Sequence, residues 1–155
     1  MTMPATLLLA AVMWPASHQA PLLVHHQPDH PVPYESVNES ERLFQTDRAR
    51  TIHGVIAEQR TVALADGARF VQVDLKTDDG MVAVHLAPQW FLEYRKGEVD
   101  LDRGRSLSVL GSANEVLGRS VFVAAELSNP DRKKHLRLRH PSGVPAWVGS
   151  ERLPE

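Results

Sequence analysis

Arg69 to Lys96 reads RFVQVDLKTDDGMVAVHLAPQWFLEYRK, and this stretch decides the fold. Arg69 to Lys76 alternate strictly, with Val71, Val73 and Leu75 on one face and Phe70, Gln72, Asp74 and Lys76 on the other. A period of two marks a strand with one buried face. Asp78-Asp79-Gly80 supplies a hairpin turn. Met81 to Leu86 then alternates again, with Val82, Val84 and Leu86 inward and Ala83 and His85 outward. After that the period switches. Pro88 suits the first turn of a helix, and Gln89 to Lys96 reads as a short one ended by Gly97. Its Trp90, Phe91 and Tyr94 fall close together, which predicts that this aromatic group packs on the sheet.

Working outward, Thr51 to Arg60 is β-branched and carries Gly54, suited to a bulge or bend. Ala65-Asp66-Gly67 is a turn. Ser106 to Leu110 reads as a strand, Gly111 to Gly118 as a bend and hairpin, and Ser120 to Leu127 as another strand. Asn129-Pro130-Asp131 is a turn before a short last strand, His135 to Arg139. In the closing loop, Trp147 is expected to plug an open barrel end, since a buried indole removes much apolar area from water. The order is β-β-β-α-β-β with an extra C-terminal strand. That predicts an all-β domain with one short helix, a five-stranded OB-type barrel, over residues 49–149. An SH3-like barrel would lack the helix, and a βαβ fold would need one between successive strands. The expected core is Val71, Val73, Leu75, Val82, Val84, Leu86, Leu107, Val109, Val121 and Val123.

The N-terminal third has a different character. Thr6 to Trp14, TLLLAAVMW, is an apolar run of about nine residues, far short of the roughly 20 that a spanning helix needs. Residues 1–20 are therefore expected to be a signal peptide. That predicts a periplasmic or secreted protein with no membrane span after processing, and a monomer. Residues 21–48 form a Pro/His-rich linker, because Pro21, Pro28, Pro31 and Pro33 interrupt helix and sheet alike. Ser36 and Glu39 have capping-box spacing, and Val37, Leu43 and Phe44 could form one apolar stripe, so a short helix is expected within 35–49. Residues 150–155 are a tail.

Composition narrows the function. The chain has 155 residues, of which 43% are apolar and 23% charged, which is enough for one real core. Its formal charge of −2 gives no global field toward nucleic acid or an anionic membrane. It has no cysteine, which excludes disulfides, thiolate metal sites, thiol nucleophiles and covalent haem attachment through CxxCH.

Several segments carry a resemblance. They are Val84 to Leu92 (VHLAPQWFL), Val109-Leu110-Gly111-Ser112, Ala125-Glu126, Leu136 to Arg139 (LRLR) and Gly143 to Trp147 (GVPAW). Through them the chain resembles small exported bacterial OB-fold proteins, which often carry only a hypothetical or DNA-binding label. The resemblance covers about residues 50–149 and implies the fold and export. It brings no activity with it. The long His/Pro-rich linker departs from that pattern, as does His140, where such proteins often have an acidic residue.

Four groups of side chains are candidates for chemistry. Phe70, Asp74 and His85 lie outward on the second and third strands, the face on which OB barrels commonly hold ligands. Asp74 and His85 could be cross-strand neighbours, although a surface polar pair explains them more simply. Arg132, Lys133, Lys134, Arg137 and Arg139, with His135 and His140, form a basic patch; alternation puts His135, Arg137 and Arg139 on one outward face. Phosphate contacts need such cations, but a charge-protected edge strand is the simpler reading. His25, His26 and His30 with Asp29 offer imidazole and carboxylate to Zn²⁺, Cu²⁺ or Ni²⁺, in a segment with nothing to hold the ligands in place. A solvated linker that happens to be rich in histidine is the simpler reading, with weak metal binding as the alternative, and no resident cofactor is expected. No serine or second carboxylate is placed to complete a nucleophilic triad. The reading is a non-catalytic, exported OB-fold binding or accessory module for an unidentified periplasmic protein or small ligand. The alternatives are a single-stranded nucleic-acid-binding OB protein and a periplasmic metal-handling protein.

Overall fold

The computed structural model describes residues 44–65, 67–116 and 119–148. In chain order it holds β1 (Arg50–Ala63), β2 (Arg69–Thr77), β3 (Gly80–Pro88), α1 (Gln89–Tyr94), β4 (Ser106–Val116), β5 (Arg119–Asn129) and β6 (Lys134–Arg137). A 3-10 turn, Thr46–Arg48, leads into β1. The rest of the helix expected within 35–49 lies outside the described residues, as do the leader, the linker up to residue 43 and the tail.

The strands form one sheet in the order β3-β2-β1-β4-β5-β6. It closes on itself where β3 and β5 run parallel, with Val84 opposite Phe122 and His85 opposite Val123. The ring β1-β2-β3-β5-β4 with a helix between β3 and β4 is the five-stranded OB barrel, and β6 is the extra strand on β5.

One long strand makes the ring possible. Arg50 to Val55 of β1 pair with β4, and Val55 to Ala63 pair with β2. A bulge between Ile56 and Glu58 bends the strand from one partner to the other. Gly54 sits at that crossing because a Cβ there would lie 2.4 Å from the Lys76 carbonyl oxygen. Beyond the bulge, β1 has left β4. Ile56 donates to the Arg105 carbonyl at 2.9 Å and accepts from the Gly104 amide at 2.8 Å, so the loop before β4 fills the gap.

The core cluster takes Val71, Val73 and Leu75 from β2, Val82, Val84 and Leu86 from β3, and Leu107 and Val109 from β4, as the alternation predicts. β5 differs. Phe122, Ala124 and Leu127 fill the interior, while Val121 and Val123 are buried outside that cluster. The cause is a bulge between Leu110 and Gly111, which shifts the β4–β5 register. Gly111 therefore belongs to a continuous strand and not to the expected bend; a Cβ on it would lie 2.3 Å from the Val123 carbonyl oxygen. Trp147 is fully buried, edge-on to Phe70 at 6.1 Å and to Phe91 at 5.6 Å, so it is the expected plug. α1 turns Phe91 and Leu92 to the barrel. Trp90 and Tyr94, one turn apart on the other side, are 42% and 69% exposed instead of packing on the sheet. No helix among the described residues is long and apolar enough to cross a membrane.

Candidate functional site

The face expected to hold a ligand is not open. Phe70, Asp74 and His85 are buried, with 3%, 5% and 3% of their surface accessible. Alternation correctly separates them from Val71, Val73 and Val84, but β2 from Phe70 to Leu75 and β3 from Val82 to Pro88 are buried on both faces. Asp74 and His85 are also not directly opposite. The register sets Gln72 against His85 and Asp74 against Ala83. The Asp74 carboxylate accepts instead from the Arg60 guanidinium and, at 3.2 Å, from the Gln72 amide. A buried carboxylate needs such a partner, because losing water without one is costly.

The basic patch divides in the same way. His135 and Arg137 are exposed on β6, and both reach Glu126 on β5, at 3.3 and 3.2 Å. Alternation places Arg139 beside them, but Arg139 is buried. The amides of Leu138 and Arg139 both donate to the Ala125 carbonyl, at 2.8 and 3.0 Å, so the two-residue alternation stops before Arg139. Its guanidinium then turns inward, 5.3 Å from the Trp147 ring and 5.4 Å from the Phe44 ring, and donates to the Gly143 carbonyl at 3.2 Å. It helps clamp the C-terminal loop against the start of the barrel.

One open recess lies elsewhere. A groove of about 490 Å³ runs between the second half of β1, α1 with the loop after it, and β6. Val71, Leu92, Val99, Leu101 and Leu136 supply its apolar lining. Gln59, Thr61, Gln89, Glu93, Lys96, Asp100, Asp102 and Lys134 supply its polar groups. The lining is therefore mixed, with more polar groups than apolar ones, in a recess of the size that ligand sites occupy.

Asp100 organises one end of the groove. Its amide donates to the Asn129 side-chain oxygen at 2.7 Å, and the Asn129 amide donates to the carbonyls of Asp100 and Ser106 at 2.9 and 3.0 Å. The buried Asn129 thus ties the loop to β5 and to the start of β4. The Asp100 carboxyl is held below the usual carboxylate range, chiefly by the Asp102 amide at 3.0 Å and then by Arg105, Arg132 and Lys134. Arg105 reaches it at 3.0 Å and Arg132 at 3.5 Å. At the other end Arg95 is paired with Glu98, its Nε donating to both carboxylate oxygens at 2.8 Å. The sequence marks Asn129 only as a turn residue and does not single out Asp100. The contacts of Asp100 to Arg132 and Asn129 bridge residues far apart in the chain, so no local pattern announces them.

His25, His26 and His30 lie outside the described residues. Among the described residues, no group of three His, Asp or Glu side chains is placed to hold a metal ion.

A family model, that of the MamS/MamX magnetosome protein family, matches residues 48–133. No curated protein matches the chain. Among solved structures, the mitochondrial single-stranded DNA-binding protein of S. cerevisiae is similar, with 15% identity and a TM-score of 0.41, over 61% of this chain and 96% of that one.

Proposed function

The chain belongs to the MamS/MamX magnetosome protein family, and from that premise we propose that it is a non-catalytic accessory protein of the magnetosome, exported from the cytoplasm, whose barrel binds a partner through the groove beside α1. One observation carries this reading. The matched residues, 48–133, begin just before β1 and end in the turn after β5, so the shared unit is the barrel itself. The face where OB barrels commonly bind is buried in this chain, and the groove is an accessible recess. Export is supported by the apolar run from Thr6 to Trp14. The reading includes no resident cofactor and a monomeric protein.

Fractionation of cells expressing the tagged chain tests it. The expected result is a processed protein outside the cytoplasm that co-purifies with isolated magnetosomes. An uncleaved protein recovered from the cytoplasm overturns the exported part. A salt-sensitive mobility shift with single-stranded DNA that is lost in Arg137→Ala would replace partner binding with nucleic-acid binding.

A further inference from the structure

Exposed apolar side chains gather at one end of the barrel. Among the described residues, the large hydrophobic side chains left exposed are Val55, Trp90, Tyr94, Val144 and Val148. All but Val55 belong to the end that Trp147 plugs. Val144 and Val148 sit in the loop that carries Trp147. Trp90 stands edge-on to Phe91 at 6.0 Å, and Phe91 in turn packs on Trp147. Tyr94 follows Trp90 by one turn of α1. Apolar side chains left in water singly are ordinary, but a group of them at one place marks a surface that something covers.

The chain itself enters at this end. The Arg139 guanidinium lies between the Phe44 and Trp147 rings, at 5.4 and 5.3 Å. Gly143 also meets the entering segment, since a Cβ on it would stand 3.2 Å from the Thr46 side chain and 3.4 Å from that of Phe44. Four contacts of 5.3 to 6.0 Å therefore lead from Phe44 through Arg139, Trp147 and Phe91 to Trp90. Residues 1–43 precede this point, and about ten residues before it the sequence reads Pro28-Asp29-His30-Pro31-Val32-Pro33-Tyr34. The spacing of three between Pro28 and Pro31 is the repeat of a polyproline II helix, which brings both rings to one face. Such a face docks on exposed aromatic rings, because its shape is set before binding and little entropy is lost. About ten extended residues reach roughly 33 Å, which is longer than the path from Phe44 to Trp90.

We propose that residues 28–34 of the same chain cover this end of the barrel, with Pro28 and Pro31 against the rings of Trp90 and Tyr94. The tether makes even a weak contact effective. A connection of about ten residues gives a local concentration on the order of 1 mM, so a site that binds the free segment at about 0.1 mM is about nine-tenths occupied. Trp90 and Tyr94 do not line the groove beside α1, so this cover and a partner in the groove can be present together.

The test compares the full chain with its full-length Pro28→Ser/Pro31→Ser/Pro33→Ser variant by amide chemical shifts. Each is then titrated with a synthetic peptide of residues 27–34. The expected result is a shift difference confined to Gln89 to Lys96 and to Val144 and Val148. The peptide should bind the variant saturably and the parent about tenfold more weakly, because the tethered segment already holds the site. Adding Trp90→Ala and Tyr94→Ala to the variant should abolish peptide binding. Both side chains are exposed, so the melting temperature should stay near the parent's. Tyr94→Ser alone, expected to weaken the peptide at least threefold, is the second variant should the first fail to fold. Identical α1 shifts in parent and variant overturn the proposal. Equal peptide affinity for the two also overturns it, since the rings would then be free for a proline-rich segment of another protein. Shifts that depend on protein concentration overturn it too, because a second copy would then be the occupant. None of these results bears on export or on magnetosome association, which fractionation reads separately.

Discussion

The outer face of β2 and β3 and the groove between β1, α1 and β6 are both walls of one barrel, yet they have opposite fates. The first holds a conspicuous polar set, Gln72, Asp74 and His85, and it is buried. The second is bordered by ordinary surface residues, Gln59, Thr61 and Lys134, and it is open. Polarity alone therefore does not mark a binding face. A polar side chain on a covered face is there to satisfy another buried group, as Asp74 does for Arg60 and Gln72. An open face is made by backbone left without a partner, and among the described residues that happens where β1 leaves β4 at its bulge.

The largest expected effect falls on the barrel that both regions share. Val84 is fully buried at the β3–β5 closure. Val84→Asp would place an unpaired carboxyl there, at a cost comparable with the whole stability of many small domains. Thermal unfolding followed by circular dichroism should lose its cooperative transition. A variant that melts like the parent would mean that the register, and with it both faces, is wrongly assigned.

A smaller effect separates the two regions. Arg60→Ala leaves the Asp74 carboxylate buried without its cation, which is expected to cost about 2–4 kcal/mol in denaturant unfolding. Adding Asp74→Asn should restore most of that loss, because the stranded charge is then gone. No recovery in the double variant would mean that Asp74 sees water and that the face is open.

The smallest effect concerns the groove's rim. The Asp102 amide, and after it Arg105, Arg132 and Lys134, hold the Asp100 carboxyl below its ordinary value. A depressed folded-state value means that the ionised form favours the fold. That contribution is complete above the usual aspartate range and is lost as pH falls through the lower, folded-state value. Asp100→Asn should therefore lower the melting temperature slightly near neutral pH, and lose less on acidification between about pH 5 and about pH 2. A variant with the parent's full acid sensitivity would place Asp100 outside this network.

Much of the barrel is legible in the sequence. The period of two in Arg69 to Leu86, the switch at Pro88 and the spacing of the turns fix the strand order, and Trp147 fills the barrel end as its bulk suggests. Expectation fails where the period itself breaks. The Leu110–Gly111 bulge moves β5 by one residue, so Phe122 and Ala124 take the places expected of Val121 and Val123. The shared Ala125 carbonyl turns Arg139 inward. The site is less legible than the fold. Alternation tells which residues share a face, but not whether that face meets water, and it says nothing about a free strand edge.

Thiol labelling tests the contrast between the two faces most directly. The chain has no cysteine, so a single introduced thiol reports one position. Gln59→Cys and His85→Cys would be treated with a water-soluble maleimide under native conditions and again in urea. If the groove is the open face, Gln59→Cys reacts in the native protein at close to its urea rate. His85→Cys is then protected by roughly a hundredfold or more, reacting only when the structure opens locally. If His85→Cys reacts natively as fast as Gln59→Cys, the β2–β3 face is open and the groove loses its claim to be the binding site.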